Sequence, residues 1–306
     1  MLENTNQISK TASAKAKPFI KWVGGKSQLV DEIKILISSQ GGGKCKKYAE
    51  PMIGGGAIFF NIASLPNFNE FYISDINPKL INTYSVIQHN VEDLITELQK
   101  LSVAFLSKST DEQKTFYYSI RDSFNNIELA ENTSVNKASE FIFLNRTCFN
   151  GLYRENRNGK FNVPMGKYKN PLICDSENLE RVSKLLQNVV IKCGDYSLSN
   201  TFIDKDTLVY FDPPYRPISK TANFTSYNAT FFNDNEQNRL FEFVNEIHKK
   251  GANFILSNSD PKNTNSADNF FDDLYKDYNI KRVLASRMIN SKSDKRGQIS
   301  ELLIYN

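Results

Sequence analysis

The sequence predicts an α/β chain built on a doubly wound, mostly parallel sheet with an antiparallel edge. Three observations carry this. Short apolar, β-prone runs alternate with stretches of helical period along most of the 306 residues. Several of those runs stop at a glycine turn or a carboxylate, as strands do where they open onto a crevice. The last two runs, 281–289 and 299–305, follow one another with no helix between them, so they close the sheet as an antiparallel pair.

Residues 1–17 are rich in Lys, Ser, Thr, Ala and Asn and read as a flexible leader with no apolar core for a signal peptide. Pro18-Phe19-Ile20-Lys21-Trp22-Val23-Gly24-Gly25-Lys26-Ser27 approaches a phosphate-binding loop, but Ile20 stands where that loop needs glycine. Nucleoside triphosphate hydrolysis is therefore not expected. The glycine pair permits close approach of a ligand to the backbone, although on the residues alone Trp22 reads as a core tryptophan and Lys26 as a solvated charge. Leu29, Ile33, Leu36 and Ile37 lie on one face of a helix that ends at Gly41 to Gly43. A strand from Tyr48 runs through Glu50 into the turn Gly54-Gly55-Gly56, and a helix through Ile58, Phe59 and Ile62 follows. The next strand, Phe71 to Ser74, ends at Asp75, roughly 20 residues after Gly54. That spacing puts an acidic side chain on a ribose hydroxyl pair in nucleotide-binding α/β folds. Phe59 stands where a dinucleotide fingerprint wants a small residue, which disfavours a pyrophosphate and leaves open an adenosine ligand without phosphates.

Pro78 to Leu101 carries a continuous apolar stripe and reads as one long helix; 111–128 and 135–148 read as two more, with a polar loop from Glu131 to Asn136. Then composition changes. Between Asn145 and Pro171 come Arg146, Arg154, Arg157, Lys160, Lys167 and Lys169 against the single acid Glu155, interleaved with Phe149, Tyr153, Phe161 and Tyr168 and with asparagines. Cations neutralise phosphates, and rings and amides engage bases; a merely solvated loop is the alternative. Val189 to Lys192 is a strand ending in Gly194-Asp195. Leu208 to Phe211 is a strand that stops at Asp212-Pro213-Pro214-Tyr215, because two prolines cannot continue a central strand. This rigid corner offers a carboxylate, the Pro213 carbonyl and an aromatic ring, a set suited to a planar ligand with an exocyclic amino group. A turn with a core tyrosine would explain an isolated corner equally well. Beyond a polar loop at Asn223 to Tyr227, a helix from Asp234 to Lys250 leads to a strand from Ala252 and a helix near Phe270 to Tyr278. The loop with Lys292, Lys295, Arg296 and Gly297 offers a second phosphate contact.

Hydrophobic content of 40% and charged content of 24% are those of a soluble globular chain, with no apolar run of membrane-spanning length. Cys45, Cys148, Cys174 and Cys193 have neither CxxC spacing nor histidine companions, so neither metal nor disulfide is expected and a cytoplasmic location is the default. A net charge of +4 is too small to identify a nucleic-acid partner by itself.

Trp22 to Lys26, Glu50 to Gly56, Asp75-Ile76-Asn77, the Asn145 to Pro171 block and Asp212 to Tyr215, in that order, resemble Dam-type DNA adenine methyltransferases, most of all the GATC-modifying members of restriction-modification systems. The resemblance runs from about Pro18 onward. It implies a Rossmann-like methyltransferase sheet over 18–84 and 189–306, with a mainly helical DNA-recognition domain inserted at 85–188. It also implies S-adenosyl-L-methionine as methyl donor, held by Trp22, Lys26, Glu50, Gly54, Gly56, Asp75, Asp195 and Asp212. Asp212, Pro213, Pro214 and Tyr215 take the catalytic positions, and Lys21, Phe149, Asn150, Leu152, Arg154, Pro164 and Tyr168 the DNA-contacting ones. Arg154 is expected on a guanine, Leu152 and Pro164 on a thymine methyl, and Phe149, where relatives often carry tyrosine, as a wedge. The substrate is then double-stranded DNA, with adenine flipped out for direct methylation at N6, and a restriction endonuclease cutting the same site is the expected functional counterpart. Another acceptor for the methyl group, or a catalytically silent DNA-binding module, remains the rival reading.

Overall fold

Strand period decides how the layers form. The computed structural model describes residues 15–39, 42–126, 134–216, 232–286 and 298–306. Along β4 (Thr207–Phe211) Leu208 and Tyr210 join one buried apolar cluster while Val209 and Phe211 join another, on the opposite face. β1 (Lys47–Glu50) divides Tyr48 from Ala49 in the same way, and β2 (Glu70–Asp75) divides Ile73 from Tyr72. Successive side chains point to opposite faces, so apolar residues at every position require cover on both sides.

With β3 (Val189–Cys193), β5 (Asn253–Ser259), β6 (Asn279–Ser286) and β7 (Gln298–Tyr305), the strands form one seven-stranded sheet in the order β3-β2-β1-β4-β5-β7-β6. The first five strands of that order pair in parallel. The antiparallel pair stands at the expected end, with β7 seated between β5 and β6 and antiparallel to both. Strand order reverses between β1 and β4, so the crevice lies beyond the ends of those two strands, at Glu50 and Asp212.

One face is covered by α1 (Val30–Ser39), α2 (Phe59–Ile62), α3 (Pro78–His89) and α7 (Ser176–Leu186), the other by α8 (Asp234–Lys249) and α9 (Phe270–Leu274). Asn77 starts α3 by accepting the Lys79 and Leu80 amides at 3.0 and 3.2 Å, with Pro78 in the first turn. The expected single helix from Pro78 to Leu101 is two: α3 ends at Asn90, where φ −135° and ψ 39° leave helical geometry, and α4 (Val91–Leu106) begins. No glycine or proline marks the break, and both helices bury their stripe in the same cluster, which is why the pattern reads through. α3 runs across residue 85. α4, α5 (Thr110–Asn126) and α6 (Val135–Thr147) continue that cluster without interruption from the sheet face. No helix among the described residues is long and apolar enough to cross a membrane. Residues 1–14, most of the loop before Val135, the Asn223 to Tyr227 loop, 287–289 and the Lys292, Lys295, Arg296, Gly297 loop lie outside the described residues.

Candidate active site

The corner after β4 continues the parity of its strand. Asp212 points to the same side as Leu208 and Tyr210, where β5 and the Gly24-Gly25-Lys26 turn meet it. Lys26 is 6% exposed, so the solvated charge that its glycine-rich setting implies is corrected: its ammonium lies 2.7 Å from Asp212 Oδ1. It also donates to the Gly24 carbonyl at 3.2 Å and lies 4.6 Å from the centre of the Tyr215 ring. Ser257, on β5, donates to Asp212 Oδ1 at 3.0 Å. The Tyr215 hydroxyl donates to both oxygens of Glu301, on β7, at 2.9 and 3.1 Å. Tyr215 nevertheless keeps 41% of its surface exposed. Gln237 reaches the Pro214 carbonyl at 3.4 Å, whereas no described residue donates a hydrogen bond to the Pro213 carbonyl.

Burial opposes the charge on Lys26, but the Asp212 carboxylate, then Tyr215 and Glu301, outweigh it and its pKa rises. Burial also lifts the Asp212 carboxyl above its usual range, against the pull of Lys26 and Ser257. About a quarter of that side chain, 24%, still faces solvent. The Tyr215 phenol is pushed up to about 12 by burial, with Lys26 opposing and Glu301 adding. Lys26 therefore stays protonated, and its ammonium is the strongest influence holding the Asp212 pKa down against burial.

The wall beside this corner is the end of β1 and β2. Glu50 is buried, accepts from the Tyr48 hydroxyl at 2.6 Å, and has its carboxyl pushed well up by burial, with Asp212 adding to the shift. Asp75 takes the Gly54 amide at 3.0 Å and the Asn77 amide at 2.9 Å; burial raises its carboxyl against those bonds. Gly54 and Gly56 have φ of +48° and +73°, which glycine adopts at no steric cost. The chain's own rings fill the space beside them: a Cβ on Gly54 would stand 2.9 Å from Trp22 Cδ1, and one on Gly56 2.8 Å from Phe60 and Tyr84. Trp22 is half-buried and stacked on Tyr153 at 5.4 Å and 22°, a wall residue rather than a core one. Gly55→Ala should accordingly cost about 1–3 kcal/mol, because its Cβ would meet the Trp22 Cβ at 2.7 Å. Gly25→Ala, whose nearest neighbour is at 3.6 Å, should cost much less; denaturant melts of both variants check the difference. Asp195 sits at the end of β3, accepts from Ser197 and pairs with Arg239 at 2.6 Å; burial would raise its carboxyl, but these bonds lower it.

The basic block folds as an irregular antiparallel ribbon, with Cys148 opposite Met165 and Glu155 opposite Phe161. Phe149 is 51% exposed and donates its amide to the Pro164 carbonyl at 2.9 Å. Asn150 is exposed with φ +54°, Arg154 and Pro164 are exposed, and Leu152 is half-buried against the core. Lys21 crosses Gly151 to reach Tyr168, with its ammonium 3.3 Å from the hydroxyl and 4.5 Å from the ring centre. The structure thus gathers all seven expected contact residues on this ribbon and the segment against it. Composition overcounts the surface, however. Arg146 donates to the Phe19 carbonyl at 2.7 Å, Asn145 is buried and bonded to the Lys21 backbone at 2.8 Å on both sides, and Phe161 is in the core.

Three residues of the site escaped the sequence reading. Ser257 carries no signal beyond ending a strand. Glu301 does carry one: a carboxylate inside the apolar run Ile299 to Tyr305 has to meet a partner. Tyr153 was legible only as one of several rings in the block.

The profile described as D12 class N6 adenine-specific DNA methyltransferase matches residues 22–289. The chain is 48% identical to the type II methyltransferase M.MjaIII of Methanocaldococcus jannaschii, over 95% of this chain and 99% of that one. It is 37% identical to the type II methyltransferase M1.LlaDCHI of Lactococcus lactis subsp. cremoris, over 95% of each chain. It is 34% identical to the DNA adenine methylase of Haemophilus influenzae, over 94% of this chain and 93% of that one.

Proposed function

The chain belongs to the D12 class of N6 adenine-specific DNA methyltransferases, and from that premise we propose that it transfers a methyl group from S-adenosyl-L-methionine directly to N6 of an adenine flipped out of double-stranded GATC. The observation that carries this reading is the corner itself: the Asp212 carboxyl paired with the Lys26 ammonium at 2.7 Å, beside a Pro213 carbonyl to which no described residue donates and a Tyr215 ring that is 41% exposed.

The adenine amino nitrogen is a poor nucleophile, because its lone pair is delocalised into the ring. Asp212 and the Pro213 carbonyl accept its two N–H groups, which draws the nitrogen toward tetrahedral geometry and stabilises the positive charge that develops on it. Tyr215 stacks on the base. That stacking, at ~1–3 kcal/mol, offsets part of the few kcal/mol lost in unstacking the base from the duplex.

The crevice suits S-adenosyl-L-methionine by its chemistry. The carboxyl groups of Asp75 and Asp212 bound it beside the Lys26 ammonium, and Glu50, its carboxyl pushed well up by burial, adds a polar group without a full charge. A carboxylate offers about four lone-pair sites, so Asp75, holding the Gly54, Asn77 and Ile76 amides, keeps acceptor capacity for a ribose hydroxyl. When bound, the cofactor supplies a methyl group already activated on a sulfonium. Trp22, Gly54 and Gly56 form the adjoining wall, and Asp195 closes its far side at the end of β3.

We assign 18–84 and 189–306 to the catalytic domain and 85–188 to target recognition, with α3 crossing from one to the other and α7 packed back on the sheet face. Lys21, Phe149, Asn150, Leu152, Pro164 and Tyr168 then meet the duplex around Arg154, which reads a guanine. Arg154→Ala should lower discrimination at one base pair by ~1–3 kcal/mol and weaken overall binding less; rates on singly substituted duplexes measure it, and an unchanged preference removes Arg154 from recognition. The names of the archaeal and lactococcal relatives support a role in a restriction-modification pair, with the mark shielding DNA from a nuclease of the same specificity. Four free cysteines suit a cytoplasmic location.

The test uses tritiated S-adenosyl-L-methionine, purified protein and duplexes with GATC, a permuted site or GATC already methylated at N6 on both strands. Label confined to unmethylated GATC and recovered as N6-methyladenine is the expected result. Label on the permuted duplex overturns the site, and label on no DNA overturns the acceptor.

A further inference from the structure

Glu155 is the single acid among six cations between Asn145 and Pro171. An uncompensated carboxylate on a surface that meets phosphates weakens binding. Glu155 is compensated twice: Lys79 of α3 donates to its Oε1 at 2.6 Å, and the Tyr153 hydroxyl donates to the same oxygen. The Lys79 ammonium also bonds the Gly159 carbonyl at 2.7 Å, which fixes the turn of the ribbon.

These contacts bracket Arg154. Tyr153 and Glu155 are half-buried and bonded to one another, and Glu155 to Lys79, whereas Arg154 between them is exposed. From Tyr153 a line runs through the stacked Trp22 ring to the Gly54 turn, whose amide bonds Asp75 at 3.0 Å. From Glu155 a second line runs through Lys79 to the Asn77 cap, whose own amide bonds the other Asp75 oxygen at 2.9 Å. The two lines leave one carboxylate and meet on either side of one arginine. Asn162 holds the Arg154 Nε at 2.7 Å from across the ribbon.

We propose that Glu155 is a positioning residue for sequence recognition: with Tyr153 it clamps the strand on both sides of Arg154 to the crevice wall that carries Asp75, and that clamp sets where the guanidinium meets its base. This rests on the reading of Arg154 as a base contact. A bidentate guanidinium needs its plane fixed to tell one base from another, so loosening the clamp erodes discrimination at one base pair and leaves the others unchanged.

Glu155→Gln keeps the shape and removes the charge that holds Lys79. Methylation rates are compared on GATC duplexes and on duplexes with each base pair of the site replaced in turn, for Glu155→Gln, Arg154→Ala and the double variant. Glu155→Gln should lower discrimination about fivefold or more at the base pair that Arg154→Ala relaxes, within the roughly 5- to 150-fold that a full bidentate contact supplies. The double variant should discriminate no worse than Arg154→Ala alone. If Arg154→Ala relaxes one position and Glu155→Gln changes none, or changes all equally, the clamp is overturned and the arginine's role stands. If Arg154→Ala relaxes no position, both fall together. Lys79→Gln breaks the same clamp from its other end, and the same criteria apply to it should Glu155→Gln fail to fold.

Discussion

Replacing Asp212 with alanine should lower methyl transfer by at least roughly 10²–10³-fold, the loss typical of removing one preorganised group that stabilises developing charge. Duplex affinity should change far less, because the ribbon carrying Phe149, Arg154 and Tyr168 does not depend on the corner. Two consequences have to be separated. The alanine removes an acceptor from the amino nitrogen, and it also leaves the Lys26 ammonium buried without its carboxylate. Asp212→Asn distinguishes them: it keeps a carbonyl acceptor in place but not the charge, so it should lose rate through the weaker acceptor while disturbing the packing less. Single-turnover transfer from labelled cofactor, mobility-shift titrations and melts of both variants read these effects apart. A normal rate for the alanine variant would end the case for the corner as the reacting centre.

Lys26→Met should move the pH dependence as well as the rate. Burial already raises the Asp212 carboxyl, and Lys26 is the strongest influence pulling it down. Without the ammonium the carboxyl rises further, so more of it is protonated at a given pH and unable to accept. The acid limb of kcat/KM should therefore shift upward, with a larger deficit at pH 6 than at pH 8.5. Stability carries its own sign. The raised pKa of Lys26 contributes stability that is fully present below about 10.4, the ordinary lysine value, and is lost as pH rises through the folded value. The methionine variant should lack that alkaline loss. Its overall destabilisation should fall below the ~3–5 kcal/mol of breaking a fully buried pair, because 24% of the Asp212 side chain reaches solvent. A pH profile parallel to that of the unmodified enzyme would show that Lys26 does not govern Asp212.

Much of the fold was legible because its signals are local. The short apolar, β-prone runs of β1, β2 and β4, and prolines stopping a strand at Asp212, need only neighbouring residues to be read. The same holds for the candidate corner. What escaped depends on partners far along the chain. Lys26 follows two glycines and looks solvated until Asp212, 186 residues later, closes over it. Arg146 and Asn145 look like surface until the Phe19 and Lys21 backbones dock on them. The break at Asn90 escaped for a different reason: the helices on either side of it bury the same stripe, so periodicity sees one element.

β7 has a further consequence, for the order of assembly. It follows the other six strands in sequence yet occupies an inner place between β5 and β6, and it brings Glu301 to the Tyr215 hydroxyl. A nascent chain that has made the whole glycine turn, the recognition ribbon and the Asp212 corner still presents a gap in its sheet and an unanchored tyrosine. Because strands emerge in order during synthesis, the ring expected to receive the base is among the last parts of the crevice to be fixed.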